Sequence, residues 1–330
     1  MGDAALRGEG GTGCVVDGIP CYGFNRKYPM RVVSKLYDKQ NERDVDRLHY
    51  EQYVRLVDPD GELTVPILDT CVTRDLPSRA RRCRLVRAST RDEPYYPQNV
   101  MPAAGVTLDV GARIVRSGEA MLGLLAPLFL MVQRLDRHFL SHFDIKPGNV
   151  LYDHEQGRVR VIDYGLMQAQ GHVYVAGSSW ERYYYYPPEL YVLKAVLNGR
   201  TLYQASDVGR QQLALYQTFF PAIRELYPYD EAENDYNMFV LELKNNNLLF
   251  TTTLANRIDV FGSGTCLLEI WPSLRWSSTK NRDAVARFVR ALLCMNPTRR
   301  LSPAAAHKAY VELVRKVAPP RKKRQAGGAH

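Results

Sequence analysis

Short β-branched runs occupy the first hundred positions, and longer helical spacings follow them. Val32-Val33-Ser34-Lys35 predicts a strand ending at a lysine, and Val65 to Val72 and Cys83 to Val86 predict two more, with charged loops around them. Asn41 to Val57 has helical periodicity, with Val45, Leu48, Val54 and Leu56 as its apolar positions. Ala112 to Leu140 predicts a long helix whose broad apolar face carries Leu124, Leu125, Leu128, Met131, Val132 and Leu135. Packing explains that helix fully. Its apolar run, Met121 to Val132, is shorter than the roughly 20 residues a bilayer span needs, so a buried helix is expected and no membrane partner. Ala214 to Leu226 and Asn237 to Leu243 are further helical stretches.

Composition adds little to this pattern and removes some alternatives. The 330 residues are 45% hydrophobic and 24% charged, the balance of an ordinary globular protein with room for one large domain or two lobes. Met1 to Thr12 is small, charged and glycine-rich, unlike a secretory leader. Cys14, Cys21, Cys71, Cys83, Cys266 and Cys294 form no CxxC or Cys/His cluster, so separate thiols in a reducing compartment are expected, without zinc or a disulfide frame. The net charge of +9 is partly local: Arg79, Arg81, Arg82, Arg84 and Arg87 form one basic stretch, and Arg321, Lys322, Lys323 and Arg324 another. Solvated surface is the simpler reading of both, and an import signal or an acidic partner the other. No aromatics interleave with them, so nucleic acid is not an expected partner.

Chemistry concentrates at His142-Phe143-Asp144-Ile145-Lys146-Pro147-Gly148-Asn149. A carboxylate, an ammonium and an amide within six positions supply an acceptor for a hydroxyl proton, a cation for a migrating phosphoryl group and an oxygen ligand for Mg²⁺. Val161-Ile162-Asp163-Tyr164-Gly165 brings a second carboxylate, and the spacing suggests a loop–hairpin–loop metal site. Near the N-terminus, Gly8-Glu9-Gly10-Gly11-Thr12-Gly13-Cys14-Val15 could carry a hairpin turn close to phosphates, although any glycine-rich terminus would look similar.

Together these motifs resemble the H-R-D-L-K-x-x-N and D-F-G loops, the glycine-rich loop and the V-A-I-K lysine of protein kinases. Tyr-Pro-Pro-Glu at 186–189 resembles the A-P-E that closes an activation segment, Asp259-Val260-Phe261-Gly262-Ser263-Gly264 the D-V-W-S-x-G helix start, and Asn296-Pro297-Thr298-Arg299-Arg300 the D-P-x-x-R element. The resemblance spans nearly the whole chain. It implies an α+β, bilobal protein kinase-like fold: a small β-rich N-lobe over 1–102, a mainly helical C-lobe over 103–318 with an enlarged insertion at about 190–258, and a basic, disordered tail at 319–330.

It also implies roles. ATP would lie under Gly8, Gly10, Gly13 and Val15, with Lys35 on the α- and β-phosphates. Glu51 would hold Lys35, with Glu42 as the competitor. Met101 would back the adenine, and backbone groups around Ala103 would bond it. Asn149 and Asp163 would hold Mg²⁺ (or Mn²⁺), Asp144 would accept the substrate proton and Lys146 would neutralise the γ-phosphoryl. Asp259 would brace the catalytic loop and Arg300 would pair with Glu189. Lys146-Pro147 is similar to serine/threonine kinases, so protein Ser/Thr hydroxyls are the implied substrates. The G-T-G-C-V loop, V-S-K and Tyr-Pro-Pro-Glu are similar to kinases of large nucleocytoplasmic DNA viruses, which implies an intracellular place: host cytoplasm, nucleus or virion. A monomer is expected.

Phe143 replaces the arginine that normally meets an activation-loop phosphate, which implies activity independent of such phosphorylation. Tyr164 replaces the phenylalanine of D-F-G; its ring should pack while its hydroxyl finds a partner. Tyr183 to Tyr186 could form a docking wall, autophosphorylation sites or an aromatic anchor. Two rival readings remain at this point: a pseudokinase scaffold and a small-molecule phosphotransferase.

Overall fold

The computed structural model describes residues 6–9, 13–23, 26–74, 76–78, 80–83, 95–170, 183–246 and 252–317. Its N-terminal part is one five-stranded antiparallel sheet. Strands β1 (Leu6–Glu9), β2 (Gly13–Asp17), β3 (Val32–Tyr37), β4 (Asp69–Thr73) and β5 (Tyr96–Pro102) lie in the order β1-β2-β3-β5-β4. Across β2 and β3, Val15 faces Lys35 and Gly13 faces Tyr37. A side chain at Gly13 would stand 2.5 Å from the Leu36 carbonyl oxygen, so the approach of these strands requires glycine there. The strand expected from Val65 begins instead at Asp69, because Thr64 and Val65 pair with Val161 of the lower lobe. Cys83 ends a short 3-10 turn, Ala80–Arg82, rather than starting a strand, and 84–86 fall outside the described residues.

Helix α1 (Gln40–His49) continues through a π-helical turn (Tyr50–Val54) into a last turn, α2 (Arg55–Val57). Its inward face is not the apolar one expected. Val45, Leu48 and Leu56 are exposed, whereas Arg43, Asp46, Val54 and Val57 are buried. Arg43 explains part of the rotation: Nη1 donates to the Cys71 carbonyl at 3.1 Å and ties the helix to β4. A buried ion pair at Asp46 supplies the rest.

The sheet cysteines also depart from expectation. Cys14 is bonded to Cys83 and Cys21 to Cys71, with Cα separations of 6.3 and 5.8 Å, while Cys266 and Cys294 are free. No spacing rule reveals these pairs, because strand order, not sequence distance, brings the thiols together.

Below the sheet the chain is helical. The single long helix expected over 112–140 is three: α3 (Leu108–Val115), α4 (Gly118–Leu124) and α5 (Ala126–Arg137). Arg116 in the left-handed conformation ends the first, Ser117 caps the second through the Ala120 amide, and Pro127 opens the third. Gly118–Arg137 together is apolar and long enough to cross a membrane by composition, but 61% of its most apolar window is buried within the fold. Phe129 of α5 stacks on Tyr310 of the C-terminal helix at 4.4 Å between ring centroids. After the activation segment come α6 (Pro188–Leu197), α7 (Leu202–Phe219), α8 (Ile223–Leu226), α9 (Tyr229–Asn246) and α10 (Thr252–Ala255). Then α11 (Ile258–Ile270), buried along nearly its whole length, forms the axis of the lobe, flanked by α12 (Thr279–Leu293) and α13 (Pro303–Val317). A β-rich upper lobe on a helical lower lobe is the bilobal α+β kinase architecture.

Candidate active site

The catalytic segment leaves strand β7 (Leu140–Ser141), which pairs with β10 (Gln168–Ala169), and ends in a 3-10 turn, Pro147–Asn149. Hairpin β8 (Val150–Asp153) and β9 (Arg158–Val161), edged by the short strand β6 (Val106–Thr107), then carries the chain to Asp163, and the Ile162 amide donates to the Asn149 carbonyl at 3.0 Å. That bond holds the two loops side by side.

Phe143 and Asp163 both have positive φ, 63° and 69°, a conformation unusual for a bulky side chain such as phenylalanine. Asp259 holds the first in place by accepting from the His142 amide at 2.6 Å and the Phe143 amide at 2.9 Å. Burial raises the Asp259 carboxyl to about 7 against the pull of these two amides. Below Asp259, α11 approaches Ile145 so closely that a side chain at Gly262 would meet its carbonyl oxygen at 2.6 Å. Burial also lowers His142 to about 4, so its ring is neutral and Nδ1 accepts from the Asp144 amide at 3.3 Å.

Asp144 is the centre of the loop. Its carboxylate accepts from Lys146 Nζ at 2.9 and 3.1 Å, from Asn149 Nδ2 at 2.7 Å and from the Tyr183 hydroxyl. Desolvation pushes its pKa up, opposed first by Lys146. A raised pKa suits a group that must receive a proton. Asp163 is half-buried; desolvation raises its carboxyl, yet Lys35 outweighs this and keeps it below the usual value.

Lys35 shows the main correction. Its Nζ lies 2.8 Å from Asp163 Oδ1 and 3.0 Å from Asp46 Oδ2. Glu51 is five residues further on, half-exposed, and paired with Arg47 at 2.8 Å. Glu42 lies half-buried near the helix start, outside the ion pairs that hold Lys35. Burial opposes the lysine's charge, but Asp163 and then Asp46 overcome it and hold its pKa well above the ordinary value. Asp46 does more than a lysine partner needs. Oδ1 accepts from the Tyr164 amide at 2.9 Å, and Oδ2 also accepts from the Tyr37 hydroxyl. One short carboxylate thus links the β3 lysine, helix α1 and the metal-binding loop. A search for glutamate passes over it; the signal lies in Arg43 and Asp46 sharing one helical face.

Tyr164 is fully buried, and its hydroxyl donates to the Val65 carbonyl at 2.7 Å while accepting from the Val65 amide at 3.1 Å. Glu189 and Arg300 form a two-bond ion pair at 2.5 and 3.1 Å, both side chains wholly buried. Met101 is buried beside Val65 and Ala104, with Val33, Ile67, Leu151 and Ile162 packed against them, an apolar cluster shared by the two lobes. Ala103 is corrected in part: its amide donates to the Arg31 carbonyl at 2.9 Å, so only its carbonyl is left for a base. Backbone at Gly8 pairs opposite Val15, and Val15 is half-buried over Lys35. Gly10 lies outside the described residues, as do Gly177 to Trp180, the basic run at 84–87 and the tail at 319–330.

A divalent cation fits this donor set. The described residues contain no cluster of three or more His, Cys, Asp or Glu, but Mg²⁺-type sites need only one or two protein oxygens, with phosphates and water completing the shell. Asp163 supplies a carboxylate, and Asn149, whose amide nitrogen is committed to Asp144, offers its side-chain oxygen. A bound cation would draw charge from the phosphates. Among the chain's own residues, Lys35 is the candidate to orient the nucleotide and Asp144 the candidate to receive the proton of an acceptor hydroxyl.

No curated protein matches the chain. The family model for the protein kinase domain matches residues 122–311, more than half of it and including the catalytic loop, the metal loop, Glu189 and Arg300. The chain belongs to the protein kinase family, whose members use ATP and a divalent cation to phosphorylate proteins.

Proposed function

We propose that this kinase transfers the γ-phosphoryl group of MgATP to serine and threonine hydroxyls of protein substrates, without needing a phosphate on its activation segment. The packing of Phe143 carries the second part. Its side chain is 1% exposed and lies against Tyr186, Leu190, Tyr191 and Ile258. The place where an arginine would wait for a phosphate is an apolar contact that anchors the end of the segment directly. Burying an aromatic ring of this kind stabilises by about 1.5–3 kcal/mol. Lys146 beside Asp144 supports the first part, because it can meet charge growing on the γ-phosphoryl as the hydroxyl attacks.

The rival readings lack comparable support. Lys35, Asp144, Asn149 and Asp163 converge as phosphoryl transfer requires, which disfavours a scaffold. The buried Glu189–Arg300 pair belongs to the protein-kinase pattern rather than to small-molecule phosphotransferases.

The test is radiolabel transfer from ATP to a generic protein by chain prepared free of phosphate. Phosphoserine and phosphothreonine in the substrate are expected from the first turnover, and Asp144→Asn should abolish them while ATP still raises the melting temperature. Substrate phosphate found only on tyrosine, or a lag removed by prior phosphorylation of the segment, would overturn the proposal.

A further inference from the structure

The tyrosines at 183–186 have four different fates. Tyr184 stacks on Phe219 at 4.4 Å, Tyr185 donates to Glu269 at 2.6 Å, and the Tyr186 ring is buried against Phe143. Tyr183 instead turns into the catalytic loop. Its hydroxyl donates to Asp144 Oδ1 and accepts from Lys146 Nζ at 2.7 Å, with the ammonium 5.1 Å from the ring centroid.

That is the seat an acceptor hydroxyl must take. A general base has to lie within hydrogen-bond reach of the proton it removes, and Asp144 does so for this phenol. Asn149, one of the two candidate metal ligands, bonds the same carboxylate at 2.7 Å, and the amide bond from Ile162 to Asn149 keeps Asp163 alongside. The ring is also held there from behind. The Tyr191 hydroxyl donates to the Tyr183 carbonyl at 2.5 Å, and Gln212 of α7 reaches the same oxygen at 3.4 Å. A tethered nucleophile already bonded to its base starts with much of the entropy of approach removed.

We propose that Tyr183 is a site of intramolecular autophosphorylation, the chain's own first acceptor; this rests on the reading of the site as an active kinase. The Tyr183 Oη–phosphorus bond forms as the bond from the γ-phosphorus to the β,γ-bridging oxygen of ATP breaks. The phenol proton passes to Asp144, and ADP departs. The phosphorylated ring cannot return to its seat, since its charge would face Asp144, and Phe143 offers no arginine to hold it elsewhere. Protein substrates reach Asp144 by displacing the unmodified ring, so turnover does not require this modification.

The experiment is a time course of phosphate-free chain with MgATP, read by phosphopeptide mapping, alongside transfer to a generic protein. Phosphate is expected on Tyr183, rising toward one per chain and absent in Asp144→Asn. An intramolecular step is first order, so its rate constant should stay constant over about a ten-fold dilution of the chain. Tyr184→Phe and Tyr185→Phe should leave the Tyr183 phosphopeptide in place. Sustained transfer to the generic protein while Tyr183 acquires no phosphate at any point of the time course would overturn the proposal, as would a rate constant that grows with chain concentration. Transfer to neither acceptor would instead overturn the kinase reading on which it rests.

Discussion

Replacing Asp46 by alanine tests the linkage of the two lobes most directly. Asp46 is 2% exposed and accepts from Lys35, Tyr37 and Tyr164. Its removal leaves the Tyr164 amide and the Tyr37 hydroxyl without their acceptor, at about 1–3 kcal/mol for each buried group. Lys35 keeps Asp163, so the full penalty of an orphaned buried charge, about 3–5 kcal/mol, does not apply. The two orphaned groups together give a stability loss of about 2–6 kcal/mol. Lys35 would also lose its fixed direction toward the nucleotide, and loss of one preorganised donor lowers kcat/KM by about a hundred-fold, or about 2.7 kcal/mol. Glu51→Ala is the control. Its exposed pair with Arg47 is worth about 0.3–0.5 kcal/mol, so melting and turnover should stay close to the parent. Urea unfolding measures the first quantity and radiolabel transfer the second. If Glu51→Ala lost turnover while Asp46→Ala kept it, the assignment of the lysine partner would be wrong.

Arg300→Ala should lower unfolding free energy by about 3–5 kcal/mol, because Glu189 would remain buried without its cation; a loss under about 1 kcal/mol in urea melts would contradict that reading. Mass mapping after alkylation without reductant should protect Cys14, Cys21, Cys71 and Cys83 and label Cys294, and reduction should lower the melting temperature, since a loop of 69 residues closed by a disulfide is worth up to about 4 kcal/mol. Asp259 has a folded-state pKa raised to about 7 from 3.8, so its contribution is complete below pH 3.8 and is lost as pH rises toward 7. The parent should therefore lose stability relative to Asp259→Asn across that window; parallel pH profiles in thermal melts would refute the argument.

Several features are legible in the order of residues alone. The spacing of Asp144, Lys146 and Asn149, the carboxylate at Asp163, and the distant pair of Glu189 and Arg300 follow from motifs whose residues lie close together or whose types admit few partners. A buried glutamate needs a cation, and Arg300 meets it. The β3 strand carrying Lys35 is readable from β-branching alone. Periodicity reads less well where burial serves polar chemistry. On α1 the hydrophobic positions predict the wrong inward face, because Arg43 and Asp46 are buried through their hydrogen bonds rather than through apolarity. The long helix expected over 112–140 breaks at Arg116 and at Pro127, local events that an apolar stripe does not record.

The amino-acid sequence by itself determined the chemistry available: which carboxylates, amides and ammonium groups are present, and in what order. Only the tertiary structure decided which of them meet. Asp46 rather than Glu51 holds Lys35, Cys14 pairs with Cys83, and Tyr183 rather than its three neighbours lies on Asp144. These choices depend on distances of a few ångströms between segments up to 69 residues apart, set by strand order and by how far a helix rolls on a sheet. Hydrogen bonds and ion pairs are short-ranged and directional, so a displacement of one helical turn exchanges one partner for another while leaving the sequence pattern unchanged.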